Sequence, residues 1–533
     1  ADNVYYMWDE STNSVVQAPG TGRADKPFGR DRRKYGTLEL GEIKPSLEGR
    51  WIVDTLDGEV EVTTVFELLK EESENYKPEK ASEITGVSAK VIEKTAKIFA
   101  DADPGMIYAG YASCKWLHGD LLQRAMLLLL ALTGSTGKEG GGLQIANSPN
   151  ARGLTQFGFS DVGPAFRLIS STTWDYDHAD MKELNQKIYG NDLAEKFDRY
   201  YKKSIEEDWF PDYSKNGWKM GFFAGNNGAN WRATGSTWRK TAFEELETIV
   251  SLAPDMGVTS LYSDYVLPIA HHYERNDLML QSRVPYLQVL NEAVPPLGEA
   301  VDDWEANRRL AEAISRRAKE RNIKPIQDAV DGRTVRRDYT KTLELYTMGG
   351  RVNNSKDVAQ FIINASHGIP KISFEELSQK GIVKVEGVES TMWEKDESPY
   401  HNEIVKSVKK KLPYETFTGR QQFYIDHEWF IEFGETLPTF KEPLKIDEFP
   451  LRMMMGHARH GIHSTWRDDS FLLSLQRGEP DIYVNPDDAT NRGVQDGDMI
   501  RVYNTAGEFF AMAHVSSGIQ PGMLFMYHGW DPK

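Results

Sequence analysis

One cysteine, Cys114, stands among 533 residues. A single thiol builds neither an internal disulfide nor a thiolate-held iron–sulfur cluster, so any cluster that serves this protein lies elsewhere. Positive charge is also short. Lys and Arg number 63 against 80 Asp and Glu, a formal net charge of −17, and such a surface repels the phosphates of nucleic acid and of anionic lipid. No nucleic-acid partner is expected. The longest apolar run, residues 125–132, falls well short of the about 20 residues that span a bilayer. No initiator methionine and no charged-then-apolar leader precede Ala1, so the start is read as processed or truncated and the address as missing.

What is present suggests several domains, because one core does not serve a chain of this length. Thirteen Trp and 23 Tyr suit both ordinary cores and the walls of large buried sites. The opening stretch, with Gly20, Gly22, Gly29 and Gly36 among charges, reads as irregular. Residues 51–56 and 59–64 flank the turn pair Asp57-Gly58 and predict a hairpin. Residues 89–100 carry Val91, Ile92, Ala96 and Ile98 at helical spacing. Residues 105–110 read as a short buried strand and 120–132 as a helix with an apolar face, an α/β unit of the nucleotide-binding kind. A second such unit is read from 221–227, 243–251 and 265–268. An amphipathic helix is predicted over 303–322, its arginines forming a solvated face. Residues 325–410 are polar and uneven. After Leu451, short strands at 482–484, 499–503, 509–514 and 523–527, separated by turn pairs such as Asp496-Gly497 and Pro521-Gly522, predict a small β-barrel.

Candidate chemistry gathers in four places. Behind the 120–132 helix, residues 132–142 hold five glycines. Glycine lets backbone N–H groups approach a phosphate or a flat heterocycle, although a flexible inter-domain loop has the same composition. The Gly-Lys-Ser/Thr ending of a phosphate loop is absent. Gly225-Asn226-Asn227, with Asn230, Arg232 and Ser236, follows a predicted strand, where ligands dock in open α/β sheets. Amides and a guanidinium there suit ribose and pyrophosphate; an Asn-rich turn is the plain alternative. The densest signal runs from Gly456 to Arg467, with His457, His460 and His463. A zinc site lacks both a helical His-x-x-x-His pair and a cysteine here, so hydrogen bonding to a heterocycle or its phosphates is preferred. Arg459 or Arg467 supplies charge in that reading, and His528 is a similar candidate. His118 lies between a predicted strand and a helix, where side chains meet ligands, though a lone histidine is more often structural. Cys114 reads as a small buried hydrophobe.

Together these motifs resemble the molybdopterin oxidoreductases of the dimethyl sulfoxide reductase family, in the branch of respiratory nitrate reductase, nitrite oxidoreductase and ethylbenzene dehydrogenase. Four blocks carry the resemblance: His118-Gly119-Asp120 with Gly140–Gly142; Thr259–Pro268 through Tyr273-Glu274; Thr418–Tyr424; and Gly456–Trp466 with Met526-Tyr527-His528. It implies an α/β fold, the molybdopterin oxidoreductase fold, with α/β nucleotide-binding domains and a C-terminal six-stranded-type β-barrel. The implied divisions are the remainder of a Rossmann-like domain (1–142), a second cofactor-binding domain (143–324), a connector or insertion (325–414) and a dinucleotide-binding barrel (415–533).

The resemblance further implies molybdenum held by two pterin dithiolenes, a bis-molybdopterin guanine dinucleotide. Gly141, Gly142, Asn226, Asn227, Arg232, Asp264, His457, Arg459, His463, Ser464, Thr465 and His528 would line it, with His118 and Gly119 near the metal on the substrate side. The family's cysteine-rich motif and molybdenum-ligating aspartate are not in these residues, so the chain is read as the latter half of such a subunit, with the metal ligand upstream of Ala1. The text of 459–469 and 526–530 is most similar to nitrite oxidoreductase and implies interconversion of nitrite and nitrate, with oxidation favoured. Lys115, His118 and Arg124 then offer positive potential to a small oxyanion. Alternatives are a hydrocarbon hydroxylase, a selenate or chlorate reductase, and a cofactor-free structural subunit on the same scaffold. Implied partners are Fe-S clusters in the missing N-terminal region and in an iron–sulfur beta subunit, and a haem-bearing or membrane-anchoring gamma subunit. The expected setting is a membrane-associated complex of periplasmic type, with the cytoplasmic membrane face as the alternative.

Overall fold

Two antiparallel hairpins begin the architecture: β1 (Tyr6–Asp9) with β2 (Ser14–Gln17), and β3 (Arg50–Thr55) with β4 (Gly58–Thr63). They meet through Trp8 and Trp51, stacked at 4.7 Å. The β3–β4 register pairs Thr55 with Gly58, so the loop is Leu56-Asp57, one residue earlier than the sequence suggested. Gly58, at φ 108°, already begins the return strand. The computed structural model describes residues 5–20, 36–110, 113, 115–138, 140–145, 181–207, 218–231, 235–280, 286–330, 333–366, 369–385, 403–414, 416, 418–443, 447–461, 463–466, 469–475, 479–504 and 507–530.

A helix at Ala89–Asp101 leads into β5 (Met106–Ala109), which pairs in parallel with β6 (Gly142–Ile145). The crossover between them contains the helix Gly119–Leu132, as a parallel pair requires. The expected burial of β5 holds only in part. Ala109 is buried, but Met106 and Tyr108 leave about half their surface open, because only two strands form this sheet among the described residues.

The second α/β unit is a parallel sheet in sequence order: β7 (Met220–Ala224), β8 (Thr248–Ala253) and β9 (Tyr265–Pro268). Central β8 reads Thr-Ile-Val-Ser-Leu-Ala and is buried along most of its length, as expected of a parallel strand covered on both faces. Phe223, Trp238, Phe243, Ile249 and Val258 form one core against it, with Phe223 and Phe243 edge-to-face at 5.2 Å. Ligand-facing loops therefore leave from the carboxyl ends of β7 and β8.

Next come β10 (Asp277–Leu280) and β11 (Tyr286–Leu290), then the predicted amphipathic helix at Asp303–Glu320. Asp302 caps that helix by accepting from the Glu305 N–H at 2.7 Å. The stretch expected as a connector is more ordered than its composition suggested. It contains a hairpin, β12 (Ile326–Val330) with β13 (Arg333–Arg337), two helices capped by Asn354 and Ser373, and β14 (Ile382–Lys384), which adds to the β10–β11 sheet. Ile363, Ile369, Ile372, Leu377 and Val385 pack there on Leu287, which is fully buried. A few apolar side chains, spaced along polar helices, suffice to bind this region to the sheet.

The chain closes in a five-stranded mixed sheet of order β15-β19-β16-β18-β17. Its strands are β15 (Arg452–Gly456), β16 (Asp481–Val484), β17 (Met499–Asn504), β18 (Gly507–Val515) and β19 (Met523–Tyr527). The barrel-type expectation is met as a half-barrel. Alternation puts Ile482, Val484, Ala511, Leu524 and Met526 on the inner face. The edge strand β15, which the sequence pattern did not single out, pairs in parallel with β19. Among the described residues no helix is long and apolar enough to cross a membrane.

Candidate functional site

Parallel pairing of β15 and β19 aligns Gly456 with Tyr527, so the next residues, His457 and His528, emerge side by side. The His528 N–H extends the ladder to the Gly456 carbonyl at 3.0 Å, and His528 Nε2 lies 3.0 Å from His457 Nδ1. His463 completes the group from the following turn, its ring 5.2 Å from His457 and 5.5 Å from His528. Ring nitrogens of all three lie within 4.8 Å of one another.

The backbone is arranged to permit this. His463 itself is left-handed at φ 51°. Gly529, at φ 99°, passes so close that a Cβ there would lie 2.1 Å from the His463 carbonyl oxygen, which only glycine avoids. Burial pushes the His528 imidazole below its ordinary pKa, and the neighbouring His457 and His463 push it further the same way. His528 Nδ1 and Trp530 Nε1 are buried without a partner among the described residues. Three clustered imidazoles and an orphaned indole N–H fit a flat ligand with a hydrogen-bonding edge. His460, the middle histidine of the predicted trio, is exposed and outside the cluster; His528 takes its place.

The asparagines approach from the β7–β8–β9 sheet. Asn227 Oδ1 accepts from the N–H and the hydroxyl of buried Thr259, both at 2.9 Å, while its Nδ2 reaches Ser464 Oγ at 3.5 Å. Its carbonyl is thus structural and its NH2 faces the histidine turn. Asn230 Nδ2 donates to the Trp530 carbonyl at 3.1 Å, tying the same two units together. Asn226 is exposed at the end of β7. Asp264, also exposed, accepts from the Ile249 N–H at 2.7 Å and bridges β8 to the start of β9. Trp466, left-handed at φ 66°, meets His271 edge-on at 4.4 Å, so the second and fourth predicted blocks touch. Thr465 is partly buried and Arg459 exposed in the same turn. Gly141 and Gly142 lie at the start of β6; a Cβ on Gly141 would strike Ser135 and Pro104, and the Gly142 N–H donates to Gly105. At Gly141 the missing Cβ serves close packing. Arg232, Cys114 and Arg467 lie outside the described residues.

A second cluster surrounds His118, which caps the helix Gly119–Leu132 from a left-handed φ of 66°; buried Gly119 donates its N–H to the Trp116 carbonyl. His118 Nδ1 lies 2.9 Å from Glu435 Oε1, and Lys441 Nζ approaches the same oxygen at 3.4 Å. The first distance is that of an ion pair, but no donor points in line at Oε1, so this is close contact without an aligned hydrogen bond. Both side chains are largely buried, at 15% and 11% exposure. Arg124, which the sequence offered as positive potential for an anion, has another use: it donates to the carbonyls of Glu435 and Thr436 at 2.7 Å and, more weakly, to Phe423. It fastens the 423–436 segment to the helix. Lys115 is exposed. Phe197, Phe433 and Tyr189 form an aromatic wall, and burial together with the Glu435 charge raises the Tyr189 pKa. Glu435, Lys441 and Tyr189 carried no recognisable signal in the sequence; only tertiary contact makes them part of this cluster.

Comparison with known proteins gives two family matches: Molybdopterin oxidoreductase over residues 59–313 and Molydopterin dinucleotide binding domain over 451–532. The chain is 34% identical to the perchlorate reductase subunit alpha of Dechloromonas aromatica, over 98% of this chain and 57% of the relative. It is 32% identical to the dimethylsulfide dehydrogenase subunit alpha of Rhodovulum sulfidophilum, over 100% of this chain and 58% of the relative. It is also 32% identical to the respiratory nitrate reductase subunit alpha of Haloferax mediterranei, over 98% and 54%. The chain therefore spans somewhat more than half the length of these relatives. Acetylene hydratase from Pelobacter acetylenicus has the same fold, with a TM-score of 0.59 and 20% identity, covering 87% of this chain and 59% of that one.

Proposed function

Because the chain belongs to the molybdopterin oxidoreductases of the dimethyl sulfoxide reductase family, we propose that it forms a large part of the catalytic subunit of a molybdenum enzyme acting on a small oxyanion. The proposed couple is nitrite and nitrate, with nitrite oxidation favoured: one oxygen comes from water, and two electrons and two protons are released. Names of the relatives support the class, since perchlorate, nitrate and chlorate reductase alpha subunits are among them. The similarity of residues 459–469 and 526–530 to nitrite oxidoreductase supports the finer choice.

A bis-molybdopterin guanine dinucleotide supplies oxygen-atom and two-electron chemistry when bound. The observation that carries the reading is the meeting of Asn227 with Ser464 beside the three imidazoles. His457, His463, His528, Ser464 and Thr465 hydrogen-bond the pterin edge in this reading. Asn226, the NH2 of Asn227, Arg232, Asp264, Gly141 and Gly142 line the nucleotides, and Arg459 meets phosphate. His118 and Gly119 face the substrate. A largely buried polar cluster of His118, Glu435 and Lys441 suits a polar oxyanion better than a hydrocarbon, which would offer these groups no hydrogen bond. Electrons then leave through Fe-S clusters in the N-terminal region and in an iron–sulfur beta subunit, within a membrane-associated complex of periplasmic type that includes a haem-bearing or anchoring gamma subunit.

The test is metal and pterin analysis of the intact complex, followed by assays of nitrite with an artificial acceptor and of nitrate, chlorate and perchlorate with an artificial donor. Stoichiometric molybdenum and turnover of nitrite or nitrate are expected. Activity confined to dimethyl sulfide or a hydrocarbon would remove the oxyanion reading, and absence of molybdenum would leave a structural subunit.

A further inference from the structure

The cluster around His118 contains a carboxylate that binding a small anion does not by itself call for. Glu435 is 9% exposed overall, sits at the turn Gly434-Glu435-Thr436, and is held in place from both sides. Its N–H donates to the Phe430 carbonyl at 2.7 Å, and its carbonyl and that of Thr436 accept from Arg124. Arg124 belongs to the helix that His118 begins, so one guanidinium fixes the distance between the histidine and the carboxylate. His118 is held as well, by the left-handed backbone that caps its helix. Two residues whose backbones are held in place then meet at 2.9 Å through Nδ1 and Oε1.

We propose that Glu435 is a positioning residue for His118: it engages the Nδ1 side of the ring and leaves Nε2 as the nitrogen available to the substrate. This rests on the placement of His118 beside the substrate. An imidazole has two nitrogens, and which one carries hydrogen is set by the partner of the other. A carboxylate at Nδ1 selects the Nδ1–H form, and a small turn of the ring aligns that N–H with the oxygen that now lacks an in-line donor. Among the described residues, the remaining charged or titratable groups facing Glu435 are Lys441, Tyr189 and Arg124. Lys441 also donates to the Phe433 carbonyl, which holds it at the carboxylate. Lys441 and Arg124 present only donors, so neither accepts from an imidazole.

The experiment uses the intact, cofactor-loaded complex with Glu435→Gln, Glu435→Asp and His118→Asn. Nitrogen-15 NMR of histidine-labelled protein reads the ring directly, with the His118 signals assigned by their loss in His118→Asn. The wild type should show Nδ1 protonated and Nε2 bare, Glu435→Gln should lose that preference, and Glu435→Asp should recover part of it. In parallel, kcat/KM for the oxyanion should fall about tenfold or more in Glu435→Gln, with molybdenum and pterin content unchanged, and partly return in Glu435→Asp. An unaltered His118 tautomer in Glu435→Gln overturns the proposal whatever the substrate proves to be. A tautomer that shifts as expected while no oxyanion is turned over by the wild type overturns the functional reading instead, and leaves the Glu435–His118 coupling standing.

Discussion

His118 and His528 both lie at the end of a regular element, yet one meets a carboxylate and the other meets two further imidazoles. Beside Glu435, one ring nitrogen is engaged and the other is left for chemistry. Beside His457 and His463, burial and like neighbours disfavour the charged form, so the ring works as a neutral hydrogen-bonding surface. On the proposed function, one residue type would support an oriented reactive group in the first place and a wall for a heterocycle in the second. Neighbours, not the imidazole itself, make the difference.

The largest effect should come from emptying the wall. If these rings bind the cofactor as proposed, His457→Ala with His463→Ala should remove hydrogen bonds worth about 3 kcal/mol together and lower cofactor retention on the order of a hundredfold. Molybdenum and pterin measured in the purified complex check this, with His118→Gln expected to stay loaded; equal loss in both would erase the distinction between the clusters. A smaller effect follows from the backbone that shapes the wall. At Gly529 an alanine Cβ meets the His463 carbonyl with φ already positive, so Gly529→Ala should destabilise by about 3 kcal/mol. Gly507 in the same sheet has open space around it, and Gly507→Ala should change stability by about 0.5 kcal/mol or less. Thermal unfolding of the two variants reads the contrast directly.

The smallest effect is in pH. Because the folded protein holds the His528 pKa below its ordinary value of 6.5, the unfolded chain binds the proton more readily. Stability from this group is therefore complete above about pH 6.5 and is lost as pH falls through that value. Melting temperatures at about pH 7.5 and about pH 5.5 should differ more for the wild type than for His528→Gln. An identical drop in both would mean that the imidazole cluster exerts no such penalty.

Much of the scaffold was legible beforehand. The helix at 119–132, the β3–β4 hairpin and the C-terminal strands β16 to β19 follow from local periodicity and turn residues, which act over a few positions. Residues 325–385 were harder to read. Their apolar side chains are sparse and gain meaning only against Leu287, outside that stretch. Arg124 was correctly singled out as a cation near His118 but assigned to an anion, since a sequence does not tell whether a guanidinium will find backbone carbonyls.

By itself, then, the sequence determined the element types, the family resemblance and the residue kinds available for binding: glycines, asparagines and a histidine-rich turn. Its one cysteine also determined that any iron–sulfur cluster is bound elsewhere. Which histidines form a cluster was decided only by the parallel pairing of β15 with β19, which joins residues 71 positions apart. The partner of His118 was likewise decided by Arg124 drawing a loop more than 300 residues away onto its helix. Such pairings depend on the register of distant strands and on side chains reaching foreign backbone, and neither leaves a periodic trace in the local sequence.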